Sequence, residues 1–127
     1  MFSHVAVGTN DLEKSRGFYD VLLGTLGYAQ GVLRAKGDYV YVSDNGLFIV
    51  NRPIDGRPAT HANGGTIGFT CQSTEQVDSW HAAGVANGGI SDQDPPGIRD
   101  TAAGPLYLAY LRDPDGNKLC ALHRVPA

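Results

Sequence analysis

Apolar and polar residues follow two kinds of spacing along the first half of the chain. Residues 5–8 form a short β-branched run that predicts a strand. A helix is predicted over about residues 11–26, because Leu12, Tyr19 and Leu26 recur on one helical face. Asn10 fits its N-cap, with Glu13 in the capping-box position. Shorter runs then predict three further strands, at residues 28–35, 38–43 and 47–51.

The second half of the chain repeats this order of elements. Residues 66–71 predict a strand, and Ser73 with Gln76 has the spacing of a capping box at the start of a helix. Val77 and Trp80 supply the buried side of that helix. The pattern then predicts a weak strand at residues 89–94, a loop at 94–100 and strands at 106–111 and 118–123.

Two tight turns support an internal duplication. Asp113-Pro114-Asp115-Gly116 separates the last two strands, and Asp44-Asn45-Gly46 separates two strands of the first half. Between the halves, proline and glycine interrupt a segment with few apolar residues. We therefore expect one domain, with a first module at about residues 1–52, a linker at 53–65 and a second module at 66–127.

Composition narrows the possible functions. The chain has 127 residues, of which 42% are hydrophobic and 18% charged, as in globular proteins. A net charge of −3 gives no basic surface for nucleic acid, and no apolar run is long enough to span a membrane. Two cysteines and the absence of a signal-peptide pattern at the first residues favour a reduced, cytoplasmic protein.

Six segments, in this order and spacing, carry a resemblance that spans essentially the whole chain. They are residues 4–7, 10–15, 18–19, 65–69, 96–99 and 113–117. In them the chain resembles the glyoxalase/bleomycin resistance protein/extradiol dioxygenase (vicinal oxygen chelate) superfamily. The resemblance implies an α+β fold in which two βαβββ modules form an incomplete barrel around a cleft. It also implies a homodimer.

The resemblance further implies positions for a divalent metal such as Zn, Ni, Mn or Fe. Family enzymes take metal ligands, usually His or Glu, from the first and fourth strand of each module. His4 matches one such position, whereas Thr66 and Cys120 occupy two others, and residues 47–51 offer no histidine or carboxylate. We expect a largely degenerate metal site, with His4 and Cys120 as candidate ligands. A protein that binds no metal fits these residues equally well.

Strand alternation suggests residues that line the cleft. Tyr39 and Tyr41 share one face of their strand, and Tyr107 lies opposite to its neighbours Leu106 and Leu108. The sequence leaves open whether these tyrosines line the cleft or pack against a helix. Arg99 either binds an anionic ligand group or pairs with a nearby aspartate. The candidate cleft residues are Tyr39, Tyr41, Asn51, Thr66, Arg99 and Tyr107.

The resemblance and the residues at its ligand positions leave two functions from different classes. The first is a protein that binds a small molecule in the cleft without catalytic metal, as bleomycin resistance proteins do. The second is a metal-dependent lyase of lactoylglutathione lyase type, an isomerase or a dioxygenase, with His4 as a ligand. A domain that acts mainly through dimerisation is a third possibility, and it predicts a cleft filled by side chains.

Overall fold

Each half of the chain folds as a strand, a helix and three further strands. The computed structural model describes residues 1–126. The first module contains β1 (His4–Gly8), α1 (Leu12–Gly24), β2 (Val32–Leu33), β3 (Tyr39–Ser43) and β4 (Gly46–Asn51). The second module contains β5 (Ile67–Thr70), α2 (Thr74–Ala86), β6 (Ile90–Thr101), β7 (Gly104–Arg112) and β8 (Lys118–Arg124). The predicted α+β fold of two βαβββ modules is confirmed.

The strands form two four-stranded sheets, ordered β1-β4-β3-β2 and β5-β8-β7-β6. In each sheet the first and last strands of the module run parallel, and the other neighbours run antiparallel. Neither sheet closes on itself, so β1 and β5 are edge strands of their respective sheets. In residues 1–126, no helix has the length and apolar content needed to cross a membrane.

Both helices pack on the same side of the sheets, and the two modules share one hydrophobic core. Tyr19 and Leu22 of α1 and Trp80 of α2 are completely buried in it. Phe48 of β4 and Phe69 of β5 join the modules, with ring centroids 5.6 Å apart. We call the sheet surfaces that contact α1 and α2 the helix-packed faces, and the opposite surfaces the open faces.

The start of α1 differs from the sequence prediction by one residue. Asn10 has the capping-box spacing, but the N-cap is Asp11, whose carboxylate accepts a hydrogen bond from the backbone N–H of Lys14 at 3.1 Å. Asn10 binds the linker instead. Its side-chain oxygen accepts from the backbone N–H of Ala59 at 2.6 Å, and its amide donates to the Ala59 carbonyl at 3.3 Å.

The predicted loop at residues 94–100 is wrong, because β6 continues through it from Ile90 to Thr101. Prolines are tolerated here because β6 is an edge strand and its register shifts between Asp92 and Gly97. The guanidinium of Arg99 donates to three carbonyl oxygens of this irregular segment. They belong to Asp94, Pro95 and Gly97, at 3.1, 3.0 and 3.0 Å.

A buried carboxylate joins the two modules at the β7–β8 turn. Asp113 is 2% exposed and accepts a hydrogen bond from the hydroxyl of Tyr19 on α1. The side-chain amide of Asn117 donates to Asp113 at 2.8 Å, and the backbone N–H groups of Asp115 and Asn117 donate at 2.9 Å each. Burial raises the pKa of Asp113 although these donors favour its charged form. These four residues are called the Asp113 network below.

Asp115, in the same turn, binds the start of α1. Its carboxylate accepts from the hydroxyls of Thr9 at 2.7 Å and Ser15 at 3.0 Å, and from the backbone N–H of Asn10 at 2.9 Å. A negative charge at a helix N-terminus is favourable because the first N–H groups of the helix have no partner within it. The turn of the second module therefore fixes the position of the first helix.

Candidate functional site

The three predicted cleft tyrosines lie on the helix-packed faces. Their hydroxyls donate to carboxylates of α1 and α2: Tyr39 to Glu13 at 2.7 Å, Tyr41 to Asp20 at 2.8 Å and Tyr107 to Asp78 at 2.8 Å. Of the two arrangements that alternation allows, the structure therefore has these tyrosines against the helices. Hydrogen bonding and burial raise the pKa of Tyr39 and Tyr107, and burial raises that of Tyr41.

Tyr110 and Cys120 lie on the open face of the second sheet. They are register partners on β7 and β8, and the ammonium of Lys118 lies 5.0 Å from the centroid of the Tyr110 ring. Cys120 is only 6% exposed, and burial raises the pKa of its thiol. Coordination of a metal by Cys120 would require loss of the thiol proton.

His4 lies on the open face of the first sheet, next to Leu47 of β4. The side chain is exposed, and its Nδ1 lies 2.7 Å from the hydroxyl of Ser3. Thr66 precedes β5 and is exposed, whereas Asn51 at the end of β4 is half-buried. The predicted site residues are thus divided between two sheets and, within them, between two faces.

The side chains do not fit a divalent metal of the kind that the family resemblance implies. Residues 1–126 contain no group of three or more His, Cys, Asp or Glu side chains placed to hold a metal ion. His4 and Cys120 belong to different sheets, and Thr66 and Arg99 supply no carboxylate or imidazole. Residues 1–126 of a single chain therefore supply too few ligands for a divalent metal.

A cavity of about 380 Å³ lies where the edge of the first sheet faces β5. We call it the seam cavity. Its walls are residues 1–5, the end of α1, the β3–β4 hairpin and β5. The apolar and aromatic members of the lining include Phe2, Leu23, Leu26, Tyr28, Tyr41, Phe48, Ile67 and Phe69.

Within residues 1–126, no Asp, Glu, Lys or Arg side chain lines the seam cavity. Ser3, His4, Ser43, Asn45 and Thr70 supply polar groups. Within residues 1–126, His4 and Tyr41 are the only residues predicted from the sequence that border the cavity. Sequence reasoning missed Gly68, which also lines it. A glycine inside a predicted strand was the available signal, because such a glycine often marks a close approach of a ligand.

Known proteins share this fold and this order of the two modules. A family model described as the Glyoxalase/Bleomycin resistance protein/Dioxygenase superfamily matches residues 1–121. The chain belongs to this superfamily. A crystal structure of a glyoxalase/bleomycin resistance protein from Albidiferax ferrireducens is 63% identical, with a TM-score of 0.95, and the match covers 98% of this chain and 99% of that one.

More distant members of the glyoxalase/bleomycin resistance superfamily share the fold. A family enzyme from Burkholderia phytofirmans is 19% identical with a TM-score of 0.75, covering 97% of this chain and 98% of its own. A lactoylglutathione lyase from Agrobacterium tumefaciens is 20% identical with a TM-score of 0.66, covering 97% and 92%. No curated protein matches the sequence. These two likenesses concern the fold, which hosts several chemistries.

Proposed function

We propose that this superfamily member binds a small, largely apolar molecule in the seam cavity and does so without a catalytic metal. The observation that carries the proposal is the cavity itself, whose volume of about 380 Å³ lies within the roughly 300–1,000 Å³ typical of small-molecule sites. Its walls combine aliphatic and aromatic side chains with the polar side chains of Ser3, His4, Ser43, Asn45 and Thr70. Sites of this composition bind by removing apolar surface from water.

The aromatic walls favour a ligand with a flat apolar part. Phe48 and Phe69 lie 5.6 Å apart at an interplanar angle of 65°, so a ring entering beside them can make edge-to-face contacts. Burial of each further methylene group is worth about 0.8 kcal/mol, roughly a fourfold gain in affinity. A homologous series of alkylbenzenes should therefore bind with affinity that rises with chain length until the cavity is full.

Filling the cavity from β5 tests the proposal. A Cβ on Gly68 would meet no atom within 4 Å, so Gly68→Leu places its side chain in the cavity without a backbone clash. We expect this change to raise the Kd for a neutral apolar dye at least tenfold while the thermal unfolding midpoint stays close to that of the wild type. The measurement is a fluorescence titration on protein without an N-terminal tag, since residues 1–5 line the cavity.

Gly17→Leu is the matched control for this titration. Gly17 is exposed on α1, also has open space around its Cβ position, and does not line the cavity. The control should bind the dye as the wild type does. Equal affinities of Gly68→Leu and Gly17→Leu, or the absence of binding to the wild type, would refute the proposal.

A metal-dependent lyase, isomerase or dioxygenase is the second candidate function. It is favoured by His4, which borders the cavity at the position where family enzymes have a ligand, and by the fold shared with the lactoylglutathione lyase from A. tumefaciens. The test is elemental analysis of purified wild type and His4→Ala. Stoichiometric zinc, nickel, manganese or iron that is lost in His4→Ala would support this function, and its absence from both proteins would count against it.

We also propose that the chain forms a homodimer in the cytoplasm. Within residues 1–126, edge strands β1 and β5 each pair with a strand on one side only, and such free edges readily pair with a second chain. Both cysteines are free and buried, which suits a reducing compartment. Light scattering during size-exclusion chromatography should give the mass of two chains, and the mass of one chain would contradict the dimer.

A further inference from the structure

The seam cavity is bordered through β5 by a second hollow of about 330 Å³. Gly68, Phe69 and Thr70 line both spaces, and the second space is completed by Leu122 and Arg124 of β8. We call the second space the Arg124 hollow. Because Gly68 has no side chain and the space above it is open, a ligand can extend from one space into the other across this residue.

The two spaces differ in their charged side chains. Among residues 1–126, the seam cavity has no Asp, Glu, Lys or Arg side chain in its lining, and Arg124 is the one such side chain of the Arg124 hollow. Within residues 1–126, Arg124 makes no ion pair and its guanidinium makes no hydrogen bond. An Arg guanidinium has five N–H donors, which match the geometry of a carboxylate.

A second guanidinium lies near the first on the open face. Leu106 of β7 is the register partner of Arg99 on β6 and of Arg124 on β8, so the three side chains form a row across the sheet. Arg99 is occupied by the carbonyl oxygens of the β6 bulge. The row contains two positive charges and no carboxylate, so it favours an anion beside the remaining guanidinium of Arg124.

We propose that the ligand is an apolar or aromatic carboxylic acid, with its apolar part in the seam cavity and its carboxylate bound by Arg124 across Gly68. This inference rests on the proposed function. One guanidinium balances one negative charge, which suits a carboxylate, and charge-assisted bonds of this kind are roughly twice as strong as neutral ones. Thr70 lines both spaces, and a threonine hydroxyl is a donor that a carboxylate can accept.

Matched pairs of ligands test the carboxylate. Phenylalkanoic acids of increasing chain length are titrated by calorimetry at pH 7, each beside its neutral primary amide. The wild type should bind the acid that spans both spaces at least tenfold more tightly than its amide. Arg124→Gln should abolish this preference, and Arg57→Gln should keep it, because Arg57 is exposed in the linker and lines neither space.

The outcomes separate this inference from the proposed function. If acid and amide bind the wild type equally and both are lost in Gly68→Leu, the carboxylate inference is overturned and the binding function stands. If the preference for the acid survives in Arg124→Gln, the assignment to Arg124 is overturned. If neither the acids, the amides nor a neutral dye binds, both proposals fail. A preference that declines with added salt would agree with an exposed charge–charge contact.

Discussion

Replacing Asp113 by alanine is expected to lower the free energy of unfolding by about 4 kcal/mol. The change leaves the buried hydroxyl of Tyr19 and the side-chain amide of Asn117 without their carboxylate acceptor. It also removes the acceptor of the backbone N–H groups of Asp115 and Asn117. Each buried donor without a partner costs roughly 1–3 kcal/mol. Urea unfolding followed by far-UV circular dichroism measures the difference.

Asp44→Ala is the control for Asp113→Ala. Asp44 occupies the turn of the β3–β4 hairpin, which is the counterpart of the β7–β8 turn in the first module, but its side chain is exposed. Its replacement should change the free energy of unfolding by no more than about 0.5 kcal/mol. If the two variants lose equal stability, the Asp113 network does not stabilise the contact between the modules.

The second large loss of stability is expected from replacing Gly89, which lies between α2 and β6, by alanine. A Cβ there would lie 2.7 Å from Cε1 of Phe18, 2.8 Å from the carbonyl oxygen of Gly84 and 3.1 Å from that of Arg112. Two of these neighbours are backbone atoms. The steric overlap can therefore be relieved only if the end of α2 or β7 moves. Gly89→Ala should therefore destabilise the protein by about 3 kcal/mol in urea unfolding, at the upper end of overpacking effects.

Gly24→Ala provides the comparison for Gly89→Ala. Gly24 ends α1, and a Cβ there would meet no atom within 4 Å. Alanine favours the helix more than glycine does, so this variant should be as stable as the wild type or more stable by up to about 1 kcal/mol. Similar unfolding midpoints for the two variants would show that the region around Gly89 adapts to a methyl group.

Local patterns were sufficient to predict the architecture. The repeated order of elements and the two Asp/Asn-Gly turns are set by residues close in sequence, and they predicted both βαβββ modules. The errors arose where tertiary contacts override local preference. Residues 94–100 form part of β6 because Arg99 binds the carbonyl oxygens of a segment that the prolines leave irregular. Asn10 does not cap α1 because its side chain binds the backbone of Ala59, which lies far away in sequence.

The candidate site was less predictable because it depends on which face of each sheet the helices cover. Alternation placed Tyr39 and Tyr41 together but could not distinguish their two faces, and the carboxylates of Glu13 and Asp20 on α1 decide this. The seam cavity requires the relative position of β1 and β5, which no local pattern encodes. Arg124 gave no signal in the sequence, since its proposed role follows from its place on β8 opposite Leu106 of β7.

The most direct test of the account is a titration of a neutral apolar dye into protein treated with EDTA and dialysed. We expect one dye to bind per chain of the treated wild type, with no change on adding zinc, nickel, manganese or iron. We also expect at least a tenfold loss of affinity in Gly68→Leu. Binding that is absent after EDTA treatment and returns only with a divalent ion would contradict the account and favour the metal-dependent enzyme.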